Sequence, residues 1–144
     1  MKILSRVFLS IVMIATLACS GLKSAVSADG VYQFDASTYK TALDKIDDPV
    51  FKNLTEDMMN QMMADLSKFT IEIKGNEATA TFDDMVVKGA LEKIASESNI
   101  IKFMMTPYDD DKKEDKATLI IEGQNLTLDP GRQETDKLYF KKSS

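Results

Sequence analysis

The sequence has no histidine and no tryptophan, and its 144 residues include a single cysteine, Cys19. Ser–His–Asp and Cys–His catalysis are therefore excluded, as are zinc sites built on His or Cys. Gly-rich loops of the kind that cradle phosphate are missing as well. Enzyme activity would have to rest on carboxylates, Lys, Tyr or Ser alone. The chain is read as non-enzymatic and without a cofactor, with a carboxylate-based hydrolase as the remote alternative. It also lacks the run of ~20 apolar residues that a membrane-spanning helix needs. Its longest run, Val7 to Ala18, is about a dozen residues and is broken by Ser10 and Thr16.

That short run has the setting of a secretory signal. Lys2 and Arg6 precede it, and no acidic residue occurs before Asp29. Val26 and Ala28 stand where a signal peptidase requires small residues, so cleavage after Ala28 would give a signal peptide over 1–28 and a domain over 29–144. A competing site lies upstream. Leu17-Ala18-Cys19-Ser20-Gly21 resembles a bacterial lipoprotein processing site, with a signal over 1–18 and Cys19 as the candidate lipidated residue. Thr16 departs from that pattern, which has Leu, Val or Ile at its place. Both alternatives export the domain. The first makes it periplasmic or extracellular, and the second anchors it to a membrane.

Of the 18 basic residues three lie in 1–28, and none of the 23 acidic ones does, which leaves 15 against 23 and a net charge of −8 for the domain. Such a surface repels nucleic acid and anionic headgroups, so no nucleic acid partner is expected and membrane attachment only through Cys19. Residues 29–144 suffice for one core and not for two. With no cysteine beyond Cys19, this domain has no disulfide and must be held by packing.

Gly30-Val31-Tyr32-Gln33-Phe34-Asp35 reads as a short opening strand. Asp35 or Ser37 then caps a helix through Lys45, with Tyr39, Ala42, Leu43 and Ile46 on its apolar stripe, ended by Asp47-Asp48-Pro49. Thr55 is the N-cap of a second, clearer helix with Glu56 and Asp57 in its first turn, and Leu54 is placed to staple onto Met59. Met58, Met59, Met62, Met63 and Leu66 fall on one face of it, which is expected to be buried and to supply most of the stability. After Ser67 the period drops from 3.6 to 2. Phe69, Ile71 and Ile73 lead into a Gly75-Asn76 turn and back through Ala78, Ala80 and Phe82, a hairpin. Strands follow over Met85–Ile94 (where Ala90–Ala95 also fits a helix, with strand preferred), Ile100–Thr106, Lys116–Glu122, Asn125–Leu128 and Lys137–Lys141, with turns at Ser96-Glu97-Ser98-Asn99 and Gly123-Gln124 and a polar loop from Pro107 to Asp115. The fold class is α+β: N-terminal amphipathic helices followed by an antiparallel β-meander that curls into a half-barrel or barrel.

Four pieces of this plan resemble a group of small bacterial secreted proteins and lipoproteins with a lipocalin-like domain. They are Gly30, Tyr32 and Asp35 at the start, the acidic Met-containing helix, the hairpin over Thr70–Asn76, and Leu138-Tyr139-Phe140-Lys141 at the end. The resemblance implies a lipocalin-like barrel over residues 30–142. It carries no catalytic residues to these positions.

The remaining constellations are weak as chemistry. Asp83-Asp84 would point to opposite faces of an extended strand and is better read as a solvated turn. Asp109 and Asp111 have calcium-loop spacing, but the loop lacks the central Gly and carries Lys112 and Lys113 instead. Met59-Asn60-Gln61-Met62 has the spacing of thioether Cu(I) sites, yet these residues also form the only apolar face of their helix, and Met is an ordinary core filler. No metal is expected. A flexible Met face against a curved sheet points instead to a small apolar ligand or lipid, with Met58, Met59, Met62, Met63 and Leu66 as its candidate contacts or as plain core. The alternative is an accessory or inhibitor protein that binds an envelope protein through its acidic surface or a strand edge.

Overall fold

A computed structural model of the chain describes residues 27–112 and 114–143. Residues 1–26 of the segment read as a signal, Cys19 among them, lie outside them, and so do Lys113 and Ser144. The alternating segments form eight strands: β1 Gly30–Phe34, β2 Thr70–Lys74, β3 Glu77–Phe82, β4 Met85–Glu97, β5 Ile100–Pro107, β6 Ala117–Glu122, β7 Asn125–Asp129 and β8 Leu138–Lys142. Each is antiparallel to the next, and β8 pairs with β1 through Phe34↔Phe140, Gln33↔Lys141 and Tyr32↔Lys142. The meander is thus a closed barrel, and no half-open edge is left between its first and last strands. Three helices, α1 Ala36–Asp44, α2 Pro49–Lys52 and α3 Glu56–Leu66, all lie in the one long connection between β1 and β2. The helices therefore do not precede the sheet: β1 comes first and is the strand that completes the ring.

Period-2 alternation decides what fills the barrel. Tyr32, Ile71, Ile73, Leu119, Ile121, Leu126 and Phe140 are the largest side chains with under 2% of their surface exposed. Each buried side chain of this size contributes roughly 1.5–3 kcal/mol. Their neighbours along the strands, among them Gln33, Lys88, Lys102, Glu122 and Lys141, face solvent. The inside of this wall is apolar, and its outside is mixed, since Val31, Met85, Val86 and Ile94 are exposed among the polar residues. Among the described residues no helix is long and apolar enough to cross a membrane.

The end of the barrel next to the helices is closed by rings. Phe140 meets Phe69 edge-to-face at 5.1 Å and Phe34 at 6.0 Å, Phe34 meets Tyr39 of α1 at 5.3 Å, and Phe69 meets Phe82 at 5.7 Å. Such edge-to-face pairs add roughly 0.5–1.5 kcal/mol each beyond their burial. Tyr39 and Leu43 are buried on α1 as its stripe requires, whereas α3 has no fully buried residue. The expectation that the Met helix supplies most of the stability is thereby corrected. The strand interior and the aromatic plug are the deeply packed regions, and α3 lies over them half-buried.

Local chemistry explains the joints. α1 stops at Asp44 with Lys45 as its C-cap, ahead of the Asp47-Asp48-Pro49 stop read from the sequence, and Asp48 instead begins α2: its carboxylate accepts from Val50 N at 2.8 Å, with Pro49 in the first turn. Pro is suited to that position because its missing N–H would have no helical partner there. Gly75 takes a positive φ of 57° in the β2–β3 turn. Gly89 permits close approach of β4 and β5, since a Cβ there would sit 2.7 Å from the Thr106 carbonyl oxygen. β4 is longer than the sequence suggested. A bulge between Lys93 and Ala95 lets pairing with β5 continue to Glu97↔Ile100, so the turn shrinks to Ser98-Asn99.

Candidate functional site

The Met helix is set by its cap. Thr55 Oγ1 accepts from Met58 N at 3.3 Å, and Glu56 and Asp57 occupy the first turn near the positive end of the helix dipole. From there the five sequence-selected residues divide. Met59, Met62, Met63 and Leu66 pack partly buried against the core, while Met58 is 56% exposed. Leu54, Met58, Met62 and Leu66, each four residues from the next, line a solvent-facing groove of about 510 Å³. Gln61 and Asp65 form its polar rim, and Gln61 Nε2 donates to Asp65 Oδ1 at 3.2 Å. That bond turns the two rim side chains toward each other and leaves the floor to sulfur and methyl groups. Met62 and Leu66 belong to both sides: they touch the core and line the groove.

The surroundings are acidic. Glu56, Asp57 and Asp65 lie on α3 itself, and Lys68 just beyond it places its Nζ 3.9 Å from Asp83, which brings the Asp83-Asp84 turn beside the helix end. The turn is tight, with Asp83 at φ 52°. Asp83 and Asp84 are both exposed, as expected for a solvated turn.

A second recess, of about 450 Å³, opens between α1 and the β7–β8 loop and has a different character. Ser37, Thr38, Thr41, Lys45 and Glu134 supply most of its lining, with Ala42, Ile46 and Tyr139. The polar groups around it are committed to structure. Asp35 caps α1 through Thr38 N at 3.1 Å and Thr38 Oγ1 at 2.7 Å. Burial pushes its carboxyl upward, but the bonds from Thr38 and Ser37 and the charge of Lys141 outweigh that and hold it below the ordinary value. Burial, then the charge of Asp136, pushes the Tyr39 hydroxyl up. The hydrogen bond from Lys137 to Glu134, with Asp129 nearby, holds that ammonium in its charged form.

The other sequence candidates are not brought together as reactive sites. Met105 is buried in the barrel and its neighbour Met104 is half-buried, which separates the pair across the strand. Asp109 carries the turn at Asp110–Lys112 and lies 4.0 Å from Lys112, while Asp115 faces Arg132 at 3.8 Å. Among the described residues no group of three or more His, Cys, Asp or Glu side chains is placed to hold a metal ion. What sequence reasoning missed is the groove, in which Leu54 serves as a wall beside Met58. The repeat of apolar residues at 54, 58, 62 and 66 was the available signal. Compared with known proteins, the chain matches no family model, no curated protein and no solved structure.

Proposed function

We propose that this chain is an exported, non-enzymatic binding domain of the bacterial cell envelope, lipocalin-like in its barrel, that takes an apolar ligand on α3 rather than inside the barrel. One observation carries the reading: the Leu54–Met58–Met62–Leu66 groove is an apolar surface left open, beside an interior already filled by its own side chains. Unbranched, polarizable Met side chains adapt to differently shaped ligands. Asp65 on the rim, with Glu56 and Asp57 on the same helix, favours a ligand whose head is positively charged and opposes an anionic one.

Decylammonium and decanoate, equal in chain length and opposite in charge, serve as probes in a titration of protein carrying ¹³C-methyl methionine. Decylammonium is expected to shift the Met58 and Met62 methyl signals at lower concentration than decanoate, with the buried Met105 signal unmoved. No shift from either probe, or a shift led by Met105, defeats the reading. The rival idea is an accessory or inhibitor protein that docks through its acidic surface or a strand edge, and the edge available to it is β4, whose last β3 partner is Ala90. The bulge and the exposed Glu92, Lys93 and Glu97 beyond that point are devices by which sheets refuse a further strand, although Ile94 is half exposed among them. The groove is therefore preferred.

A further inference from the structure

At the end of the barrel away from the helices, the chain passes through Ser27, Ala28 and Asp29 before β1 begins. Ala28 is only 9% exposed and belongs to the core cluster. Its carbonyl accepts a hydrogen bond of 2.8 Å from the hydroxyl of Tyr32, a residue with no exposed surface. Asp29 Oδ1 accepts from Gly75 N at 2.9 Å, which ties this segment to the β2–β3 turn, and Asp29 N donates to Ser27 Oγ at 3.2 Å. The Lys142 ammonium lies 5.8 Å from the centre of the Tyr32 ring. Residue 28 is thus part of how this end of the barrel is closed.

That placement conflicts with one of the two processing sites read from the sequence. Hydrolysis of the Ala28–Asp29 bond, with water supplying a carboxyl to Ala28 and an amine to Asp29, would carry Ala28 away with the leader. The Tyr32 hydroxyl would lose its acceptor and the core a methyl group. A new ammonium would also appear on the residue whose carboxylate holds the Gly75 amide. A buried hydroxyl stripped of its partner is costly where total stability is small. The peptidase meets an unfolded chain, so the fold does not shield the bond. The fold records instead which residues the finished domain uses.

We infer that Ala28 belongs to the mature domain and that the leader is removed on its N-terminal side, not at the Ala28–Asp29 bond. The inference rests on the reading that the chain is exported, and it goes beyond that reading by selecting among cleavage sites. Two experiments test it. The full chain is expressed with its own leader in a bacterial host, and the intact mass of the membrane and soluble envelope forms is measured. An N-terminus at or before Ala28 is expected; one at Asp29 or later overturns the inference. A chain recovered whole in the cytoplasm, starting at Met1, instead counts against export itself.

Stability supplies the second, independent test. Chains starting at Ser27 and at Asp29 are compared by urea unfolding, each with Tyr32 and with Tyr32→Phe. The Asp29 chain is expected to lose roughly tenfold or more in its folding equilibrium constant, and Tyr32→Phe should narrow that gap because no hydroxyl is left to strand. Equal stability of the two Tyr32 chains overturns the inference, as does a gap that Tyr32→Phe leaves unchanged.

Discussion

The barrel interior and the outer face of α3 are both apolar, yet they are made from different side chains and end in different states. The interior is dominated by Ile, Leu, Phe and Tyr, whose stiff shapes interlock, and seven of them have under 2% of their surface exposed. The α3 face is dominated by Met, and none of its residues is fully buried. Branched and aromatic side chains lose little freedom on packing and define one arrangement. Methionine keeps several arrangements open and leaves room for something else. The difference separates the part of the molecule that determines its stability from a face left partly open to solvent.

Substitutions can sharpen or break that contrast. Phe140→Ala removes the ring that meets both Phe34 and Phe69, and should cost about 3–5 kcal/mol in urea unfolding. A cost under 1 kcal/mol would mean that the plug is not the packed region described. Asp35→Ala should cost about 1 kcal/mol at neutral pH by uncapping α1. Because the folded-state carboxyl is held below its ordinary 3.8, this contribution is present above that value and is lost as pH falls through the folded one. The gap between wild type and Asp35→Ala should therefore narrow below pH 3.8 and stay constant above neutrality. Thr55→Ala should cost about 0.5–1 kcal/mol by fraying the start of α3, and should broaden the Met58 methyl signal more than that of Met105. Met58→Ala should change stability by less than about 0.5 kcal/mol, yet weaken decylammonium binding. If it destabilises as a core substitution does, the contrast between interior and groove collapses.

Much of the sheet was legible in the sequence because strand period and turn chemistry are local. Ile71 and Ile73 against Glu72 and Lys74, followed by Gly75-Asn76, specify a hairpin and its faces without any knowledge of the rest. The cap at Thr55 was legible for the same reason, and the first cap was narrowed to Asp35 or Ser37, of which the structure uses Asp35. What was not legible depends on distant partners. Nothing near Phe34 says that it will meet Phe140, and the closure of the barrel is that meeting. The plug joins Phe34, Tyr39, Phe69, Phe82 and Phe140 from five separate places along the chain. The groove was hidden for a subtler reason. A helical stripe specifies which side chains share a face, but how far the face turns into the core is decided by what it packs against. Here the turn stops short of Met58.

The pairing of β1 with β8 also has a consequence in time. A chain that emerges N-terminus first presents Gly30–Phe34 before any other strand, but the partner that completes the ring, Leu138–Lys142, arrives last. β2 can pair with β1 early, after which β3 to β7 add in order through short turns. The final seam must wait for the whole length of the domain, and closures between such remote segments are slow. Until then β1 and β7 each offer an unoccupied side, and the β8 of another molecule fits there as well as its own. Raising the chain concentration during refolding is therefore expected to favour exchange of the last strand over closure of each chain on itself.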